Sequence, residues 1–328
     1  MRARRHRIAA FIALAALMTI SPRAAMSEPP ENPVPRNLDV PGLESGTNWL
    51  TALATSFDSP DIDPVGVNDW RCRPSAAHPE PVILVHGTWQ HVYNTWNGLA
   101  PVLAAHGYCV FAPNYGNTTG KPGLNATADL VASAHEIATF VAQVRRITGA
   151  EHVALIGHSQ GGAQIRYYAN LLAPKGEVTK VIALVASNHP TSVLHLTVIG
   201  EKLGFKDFVL EQFERAKMPG AAQQAMAEAP FYVTLNGQGE TRPGIAYTNI
   251  ATRFDELVTP WRAAFIEQGP GATVDNIVLQ DVCRMDWSDH AAVTFSRNVI
   301  QIVLNKLDPE HPHKIKCYWQ APLFGGAR

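Results

Sequence analysis

The segment HVALIGHSQGGAQI at residues 152–165 decides the fold of this chain. Its first five residues predict a buried strand, and the residues after position 161 predict the start of a helix. Between them stands a Gly-x-Ser-x-Gly pentapeptide with Ser159 at its centre. A sharp strand-to-helix turn needs small residues at positions 157 and 161, because larger side chains would collide across the turn. The segment therefore predicts a strained serine at a strand end, with a glycine-rich loop that merely closes a helix against a strand as the alternative.

Short apolar runs and longer helical stretches alternate on both sides of this segment. Buried strands are predicted at 82–86, 108–112, 152–157, 180–187, 245–251 and 274–281. The stretch from Leu130 to Val144 has apolar residues on one helical face, with Asn125 or Thr127 as its N-cap and Gly149 at its end. This alternation predicts an α/β fold with a mostly parallel central sheet and helices on both faces.

The rest of the chain predicts one α/β domain with an arm and an insertion. Residues 28–70 are rich in Pro, Ser and Asp, and predict an irregular N-terminal arm with one short helix near 49–56. The α/β domain then spans 71–328. The segment at about 191–230 separates two strands by some forty residues of mixed character. This break in the rhythm predicts an inserted cap or lid.

The N-terminal residues 1–27 predict a secretory signal peptide. Arginines at positions 2, 4, 5 and 7 precede thirteen residues from Ile8 to Ile20, of which only Thr19 is polar, and small residues around Ala25 fit a cleavage site. The apolar run is short for a membrane span, so an uncleaved anchor or a buried helix is the less favoured reading. Cleavage would leave 22 basic against 28 acidic residues, a net charge of −6. We expect a secreted protein without a nucleic-acid-binding face.

Four cysteines, at positions 72, 109, 283 and 317, would lie in an oxidising compartment after export. An even number favours disulfides over free thiols, and three pairings exist on paper. The favoured pairing is Cys72 with Cys109 and Cys283 with Cys317, because each then closes a loop of modest length at one end of the domain. No Cys-x-x-Cys pattern and no His/Asp cluster predicts a zinc site, so we expect no metal.

A second glycine-containing turn follows the predicted strand at 82–86, where Gly87 and Thr88 end the strand. An oxyanion hole needs two N–H donors, and one of them comes from the residue after a nucleophilic serine. Gln160 holds that position at a helix N-terminus, where free N–H groups and the helix dipole favour negative charge. We expect the N–H groups of Gln160 and Thr88 to form an oxyanion hole. A simple strand-ending turn at Thr88 is the alternative.

Three segments carry recognisable motifs: HGT at 86–88, GHSQGG at 157–162 and YTNIATRFDELVTP at 247–260. Together they resemble the secreted bacterial class 2 lipases of the α/β-hydrolase superfamily, and the similarity runs from about Trp70 to Leu307. The first two segments are shared by many hydrolases, whereas the third is more specific. The resemblance implies an α/β-hydrolase fold, triacylglycerol lipase or carboxylesterase activity, no cofactor, and a triad in the order Ser, Asp, His.

The acid of such a triad lies just past a strand that follows the nucleophile. Asp255 follows the predicted strand at 245–251, and Asp281 ends the next one. Chain order alone admits both, and the resemblance favours Asp255. Glu256 is adjacent to it but is expected to point elsewhere. A solvated loop carboxylate or a helix cap is the ordinary alternative for each of these acids, because Asp and Glu are rarely buried without a partner.

The base is expected on a loop before the final helix, and His290 precedes a long apolar stretch at 291–307. His311 and His313 lie beyond that stretch, and His189 lies before the acid, so their positions fit less well. A single histidine at a helix start is commonly a cap or surface residue. Only the conjunction with the serine and the acid assigns His290 a role as general base.

These patterns together predict a secreted serine carboxylester hydrolase that uses the serine, aspartate and histidine named above. We expect an acyl ester or a lipid as its substrate and a transient contact with a lipid interface. The sequence does not predict an oligomeric state. Trp89, Tyr93 and Trp96 are candidates for an acyl pocket, with core packing as the alternative. A secreted acyltransferase, a peptidase, a polyester depolymerase and a non-catalytic binding protein of the same fold remain as alternative functions.

Overall fold

The structure is a computed structural model that describes residues 48–191, 206–323 and 325. The predicted signal peptide at 1–27 lies outside the described residues, as do positions 28–47 of the predicted arm and 192–205 of the predicted cap. The described stretches contain every predicted strand and all three residues of the predicted triad.

Six parallel strands form one sheet at the centre of the fold. The strands are β1 (Val82–Val85), β2 (Val110–Phe111), β3 (Val153–His158), β4 (Val178–Leu184), β5 (Ala246–Ala251) and β6 (Thr273–Val278). Their order across the sheet is β2-β1-β3-β4-β5-β6. Each strand falls on one of the predicted apolar runs, so the predicted α/β architecture with a parallel sheet is confirmed.

Helices connect the strands, and three of them, called the cap below, begin within the segment that the sequence predicts to be a cap. They are α1 (Trp49–Asp58), α2 (Val92–Trp96), α3 (Ala100–Ala105), α4 (Leu130–Thr148), α5 (Gln160–Tyr167), α6 (Lys206–Arg215), α7 (Pro219–Gln223), α8 (Pro230–Asn236), α9 (Leu279–Val282) and α10 (Arg297–Leu307). Short 3₁₀ turns occupy Trp261–Ala264 and Ala292–Phe295, and a π-helical turn occupies Tyr168–Leu172. In the part of the chain that the structure describes, no helix is both long enough and apolar enough to cross a membrane.

The hydrophobic core lies on both faces of the sheet. Val82 and Leu84 of β1 pack in one cluster with residues of α2, α3 and α10. Ile83 and Val85 pack in a second cluster with residues of α4 and α5. Successive side chains of a strand point to opposite faces, so a fully apolar strand such as β1 requires a helical layer on each side. Burial of each such side chain contributes roughly 1.5–3 kcal/mol.

Helix α4 is capped by Asp129, whose side chain accepts a hydrogen bond from the Ala132 N–H at 2.9 Å. The expectation that Asn125 or Thr127 would cap this helix is wrong. Both side chains bond to neighbouring loop backbone instead. Asp129 lies nearer the first apolar turn, and its side chain is free to fold back onto the open N–H groups there. The helix ends at Gly149 with φ 74°, as predicted.

The final helix is interrupted where the sequence predicted one continuous stretch over 291–307. A 3₁₀ turn occupies 292–295, and α10 begins after Ser296, which has φ −71° and ψ 124°. The Ser296 hydroxyl accepts hydrogen bonds from the N–H groups of Asn298 (3.1 Å) and Val299 (3.3 Å). A serine that caps a helix cannot also continue it, because its own backbone is not helical.

The cap is helical in its described part. Helices α6, α7 and α8 lie between 206 and 236, in the long connection between β4 and β5. Phe231 of α8 stacks on Tyr167 of α5 with 4.7 Å between ring centroids. Gln223 of α7 donates to the Asp129 carboxylate at 2.6 Å. These contacts attach the cap to the helices that flank β3.

Two disulfides join Cys72 to Cys109 and Cys283 to Cys317, with Cα–Cα distances of 5.7 and 5.2 Å. This is the pairing that loop length favoured. The first bridge ties the segment before β1 to the start of β2 at the sheet edge. The second bridge ties the C-terminal segment to the end of α9. Each therefore fastens a stretch of irregular backbone onto the sheet domain.

We expect Asp129→Ala to lower the free energy of unfolding by about 1 kcal/mol. The N-terminus of α4 loses the side chain that accepts the Ala132 N–H, and Gln223 of α7 loses its carboxylate acceptor. Asp129→Asn is the matched control, since its amide oxygen still accepts the Ala132 N–H. Urea unfolding of both variants measures the difference. Equal stability of the Ala variant and the unaltered protein would rule out this capping role.

Candidate active site

Ser159 stands in a strained turn between β3 and α5. Its backbone has φ 55° and ψ −126°, a conformation that costs roughly 1–3 kcal/mol for a residue other than glycine. The surrounding main chain holds this conformation. The Ser159 N–H donates to Leu184 O (2.9 Å), and its carbonyl accepts from the N–H groups of Gly162 (3.0 Å) and Ser187 (3.2 Å). The side chain sits at the start of a helix, with 8% of the residue exposed.

The glycines of the pentapeptide allow this turn to pack against β1. A Cβ at Gly157 would overlap the main chain of Gly161 across the turn. A Cβ at Gly161 would overlap the carbonyl oxygens of Val85 and His86. The backbone of α5 therefore touches the end of β1, which brings the turn after β1 close to the serine.

His290 and Asp255 form a buried pair. His290 Nδ1 lies 2.9 Å and 3.1 Å from the two Asp255 carboxylate oxygens, and each side chain is 1% exposed. Oδ1 of Asp255 also accepts the N–H groups of Leu257 (3.0 Å) and Val258 (2.8 Å). These donors fix the carboxylate, which in turn holds the proton of the imidazole on Nδ1.

The opposite ring nitrogen of His290 is open. His290 Nε2 is buried and forms no hydrogen bond with any described residue. The ring lies beside the serine turn, since its centroid is 4.9 Å from that of His158, the residue before Ser159. Burial by itself lowers the pKa of His290, but the charge and the hydrogen bond of Asp255 outweigh it, and the pKa lies above its usual value of 6.5. The unpartnered Nε2 can therefore accept a proton.

The rival residues lie elsewhere. Asp281 is exposed and pairs with Arg253 at 2.7 Å on the surface. His189 bonds to Glu240 at 2.6 Å, and His311 is exposed and pairs with Asp308. His313 is also exposed. The structure thus brings Ser159, Asp255 and His290 to one place and leaves the alternatives outside it.

The two expected N–H donors flank the serine. Gln160 is the first residue of α5, so its N–H has no acceptor within its own helix. The Thr88 N–H donates to no acceptor among the described residues. A Cβ at Gly87 would lie 2.8 Å from Ser159 Cβ, so the turn that carries Thr88 abuts the serine. The Thr88 hydroxyl is engaged with the cap, because it accepts a hydrogen bond from Gln224 Nε2 at 2.8 Å.

The sequence analysis missed the residues that hold the main chain of His290. Its N–H lies 3.3 Å from Glu256 Oε2, although Glu256 was expected to point away from the site. Its carbonyl lies 2.8 Å from Nε2 of His158. His158 Nδ1 in turn lies 2.9 Å from Gln90 Oε1. Adjacency to the serine was the only sequence signal for His158, and none pointed to Gln90.

The aromatic residues after β1 divide between core and cap. Trp96 is fully buried in the hydrophobic cluster beneath the sheet, so it is core and not a pocket wall. Trp89 faces the cap, with its ring centroid 6.1 Å from that of Phe213 and its Nε1 3.2 Å from Met218 Sδ. A search of the described residues finds no group of three or more His, Cys, Asp or Glu side chains that could hold a metal ion.

The arrangement of the sheet and the serine turn is that of an α/β-hydrolase, and the chain belongs to this fold class. A family model described as alpha/beta hydrolase fold matches residues 80–242. The crystal structure of Aspergillus fumigatus lipase B superposes with a TM-score of 0.58 at 18% identity, covering 89% of this chain and 64% of that chain. At this identity the likeness shows the fold alone.

Curated relatives are similar over shorter stretches. A triacylglycerol lipase of Pseudarthrobacter phenanthrenivorans is 37% identical over 99 residues, which is 29% of each chain. A triacylglycerol lipase of Burkholderia plantarii is 37% identical over 99 residues, or 29% of this chain and 26% of that protein. A triacylglycerol lipase of Pseudomonas fragi is 30% identical over 133 residues, which is 38% of this chain and 41% of that protein. The matches therefore span less than half the length of these relatives.

We expect Gly161→Ala to destabilise the protein by more than roughly 2 kcal/mol and to displace Ser159, because the new methyl group meets the backbone oxygens of β1. Gly149→Asn is the matched control, since Gly149 has a positive φ but open space around it, and asparagine tolerates such a helix end. Thermal unfolding compares the two variants. A Gly161→Ala protein as stable as the control would contradict the close packing of the turn.

Proposed function

We propose that this protein is a serine carboxylester hydrolase that cleaves acyl esters, of the lipase or esterase type, with Ser159 as nucleophile, His290 as general base and Asp255 as the orienting acid. The observation that carries the proposal is the buried His290–Asp255 pair: Nε2 of His290 bonds to no described residue, and its ring lies next to His158 in the strained serine turn. A histidine pinned at one nitrogen and open at the other is what a general base requires.

The first half of the reaction forms an acyl-enzyme. His290 Nε2 takes the proton of the Ser159 hydroxyl as its oxygen attacks the ester carbonyl. The tetrahedral oxyanion lies against the N–H groups of Gln160 and Thr88, where loss of one donor typically costs about a hundredfold or more in rate. The intermediate collapses as His290 returns the proton to the leaving alcohol.

In the second half of the reaction, water is the nucleophile and the Ser159 oxygen is the leaving group. His290 removes a proton from water as the hydroxide attacks the acyl carbonyl, and it then returns that proton to the Ser159 oxygen as the carboxylic acid leaves. Asp255 stabilises the imidazolium that forms at each step, and it keeps the ring in the tautomer with the proton on Nδ1. The enzyme returns to its starting state without a cofactor.

The substrate class rests on the relatives and on the cap. The curated relatives are triacylglycerol lipases, which supports an acyl ester or lipid substrate. Trp89, Phe213 and Met218 supply apolar surface between the oxyanion turn and the cap. Such surface suits an acyl chain and a transient contact with a lipid interface.

The proposal includes export from the cell, directed by residues 1–27. Two disulfides support it, because disulfides persist in oxidising compartments outside the cytosol. The arginine-rich start and the apolar run that follows have the order of a secretory signal. The secreted class 2 lipases that the sequence resembles fit the same location.

The direct test is reaction with a fluorophosphonate, followed by intact-mass measurement and peptide mapping. We expect one adduct, on Ser159, and none in Ser159→Ala, because only an activated serine attacks the reagent at a useful rate. Ser187→Ala is a matched control, since Ser187 is a second buried serine beside the turn. Absence of an adduct on correctly folded protein would favour a non-catalytic binding protein of this fold.

The pH dependence of kcat/KM tests the base. Activity requires neutral His290, whose pKa lies above 6.5, so kcat/KM for a p-nitrophenyl ester should fall as the pH drops through a midpoint above 6.5. In Asp255→Asn the charge that raises the pKa is gone while burial remains. We therefore expect the midpoint to move down and kcat to fall on the order of 10³–10⁴-fold. A profile that is flat from about pH 5 to 8 would exclude His290 as the base.

A further inference from the structure

His158 bridges the oxyanion turn and the loop of the base. It is fully buried, and its two ring nitrogens face two different oxygens. Nε2 lies 2.8 Å from the main-chain oxygen of His290, and Nδ1 lies 2.9 Å from Gln90 Oε1. The same Gln90 oxygen accepts the Gly87 N–H at 2.8 Å and the Thr95 hydroxyl at 3.1 Å. One buried ring therefore touches both halves of the site.

Counting protons shows that the two contacts compete. Both oxygens are acceptors, so each contact needs a proton on the ring nitrogen that faces it. A neutral imidazole carries one N–H, and burial, together with the charge of nearby His290, holds the pKa of His158 well below its usual value. Neutral His158 therefore donates either to the His290 carbonyl through Nε2 or to Gln90 through Nδ1. The Gln90 oxygen has another donor in the Gly87 N–H, and the Thr95 hydroxyl can donate either to it or to Asn94 Oδ1, whereas no other described residue donates to the His290 carbonyl.

We propose that His158 is a positioning residue that donates its Nε2 proton to the His290 carbonyl and so sets the reach of the general base toward Ser159. The inference rests on the proposed function, and it adds a residue that the triad and the oxyanion hole do not include. His158 is bonded directly to Ser159 through the peptide chain. A single strand end then fixes the nucleophile covalently and the base by a hydrogen bond.

The hydrogen bond from His158 to the His290 carbonyl matters because His290 lies on a loop. Its ring is held at Nδ1 by Asp255, but the position of its backbone depends on the contact with Glu256 at the N–H and on the contact with His158 at the carbonyl. Loss of the second contact leaves the backbone held at one point. A displacement of about 1 Å between nucleophile and base can cost on the order of a hundredfold in rate.

The two amide variants of His158 separate the two contacts. The amide nitrogen of Gln reaches the place of Nε2, so His158→Gln keeps a donor for the His290 carbonyl. The amide nitrogen of Asn reaches only the place of Nδ1, so His158→Asn keeps a donor for Gln90 and loses the bridge. Both variants are small, neutral and polar, which makes each the control for the other.

We expect His158→Asn to lower kcat for a soluble p-nitrophenyl ester roughly tenfold to a hundredfold, with KM unchanged within about twofold, and to slow fluorophosphonate labelling by a similar factor. His158→Gln should recover kcat to within about fivefold of the unaltered protein. Equal loss in both variants, or no loss in Asn, would overturn the inference, because packing or the Gln90 contact would then be the role of His158.

Nuclear magnetic resonance of the unaltered protein supplies a test that does not depend on catalysis or on the folding of a variant. Long-range ¹H–¹⁵N spectra assign the tautomer of each histidine, and we expect the proton of His158 on Nε2. A proton on Nδ1 would overturn the inference. If Ser159 fails to react with a fluorophosphonate while the tautomer is as expected, the proposed function fails and the bridge stands.

Discussion

The close approach of α5 to the end of β1 is the constraint on which the rest of the site depends. Glycine at 161 lets the helix backbone touch the carbonyl oxygens of Val85 and His86. That contact sets the angle at which β3 passes into α5, and it forces Ser159 into a left-handed conformation that unstrained chains avoid. Three main-chain hydrogen bonds stabilise this strained conformation: the Ser159 N–H donates to the Leu184 carbonyl, and the Ser159 carbonyl accepts from the N–H groups of Gly162 and Ser187. Mutation of a side chain does not remove these groups.

The parallel sheet explains why residues from four distant segments meet. In a parallel sheet the carboxyl ends of all strands lie along one edge, and ligand sites form there. Thr88 follows β1, Ser159 follows β3 and Asp255 follows β5, while His290 comes from the chain beyond β6. The order β1-β3-β4-β5 spreads these positions across the centre of the sheet. Thr88 and Ser159 therefore lie directly at the ends of buried strands, whereas Asp255 and His290 lie on loops that follow strands.

Many buried polar groups in this region are paired, although Nε2 of His86, Nε2 of Gln160 and the Ser288 hydroxyl are buried without a hydrogen bond to a described residue. Asp255 receives two N–H donors besides His290, so its charge is compensated away from water. Gln90 Oε1 accepts the Gly87 N–H and lies 2.9 Å from Nδ1 of His158, so this side chain links the turn after β1 to the strand end at His158. Nε2 of His290 also bonds to none of the residues that the structure describes, and leaving such a group unpaired costs about 1–3 kcal/mol. It differs from the others in belonging to a ring whose opposite nitrogen is held by a carboxylate.

The sequence by itself determined the six strands, the turn at Ser159, the identity of the helix around 130–148 and its end at Gly149. These features depend on short-range rules: apolar runs, glycines that permit tight turns, and the residue types that end helices. Prediction from the sequence failed for side chains that can form hydrogen bonds with any of several nearby partners. It misplaced the α4 cap, because Asn125 and Thr127 found loop partners and Asp129 was left to cap. It also missed the break at Ser296, and the roles of Glu256, His158 and Gln90 around His290. Such contacts join residues up to 132 positions apart, and only the packing of the folded chain decides which of them form.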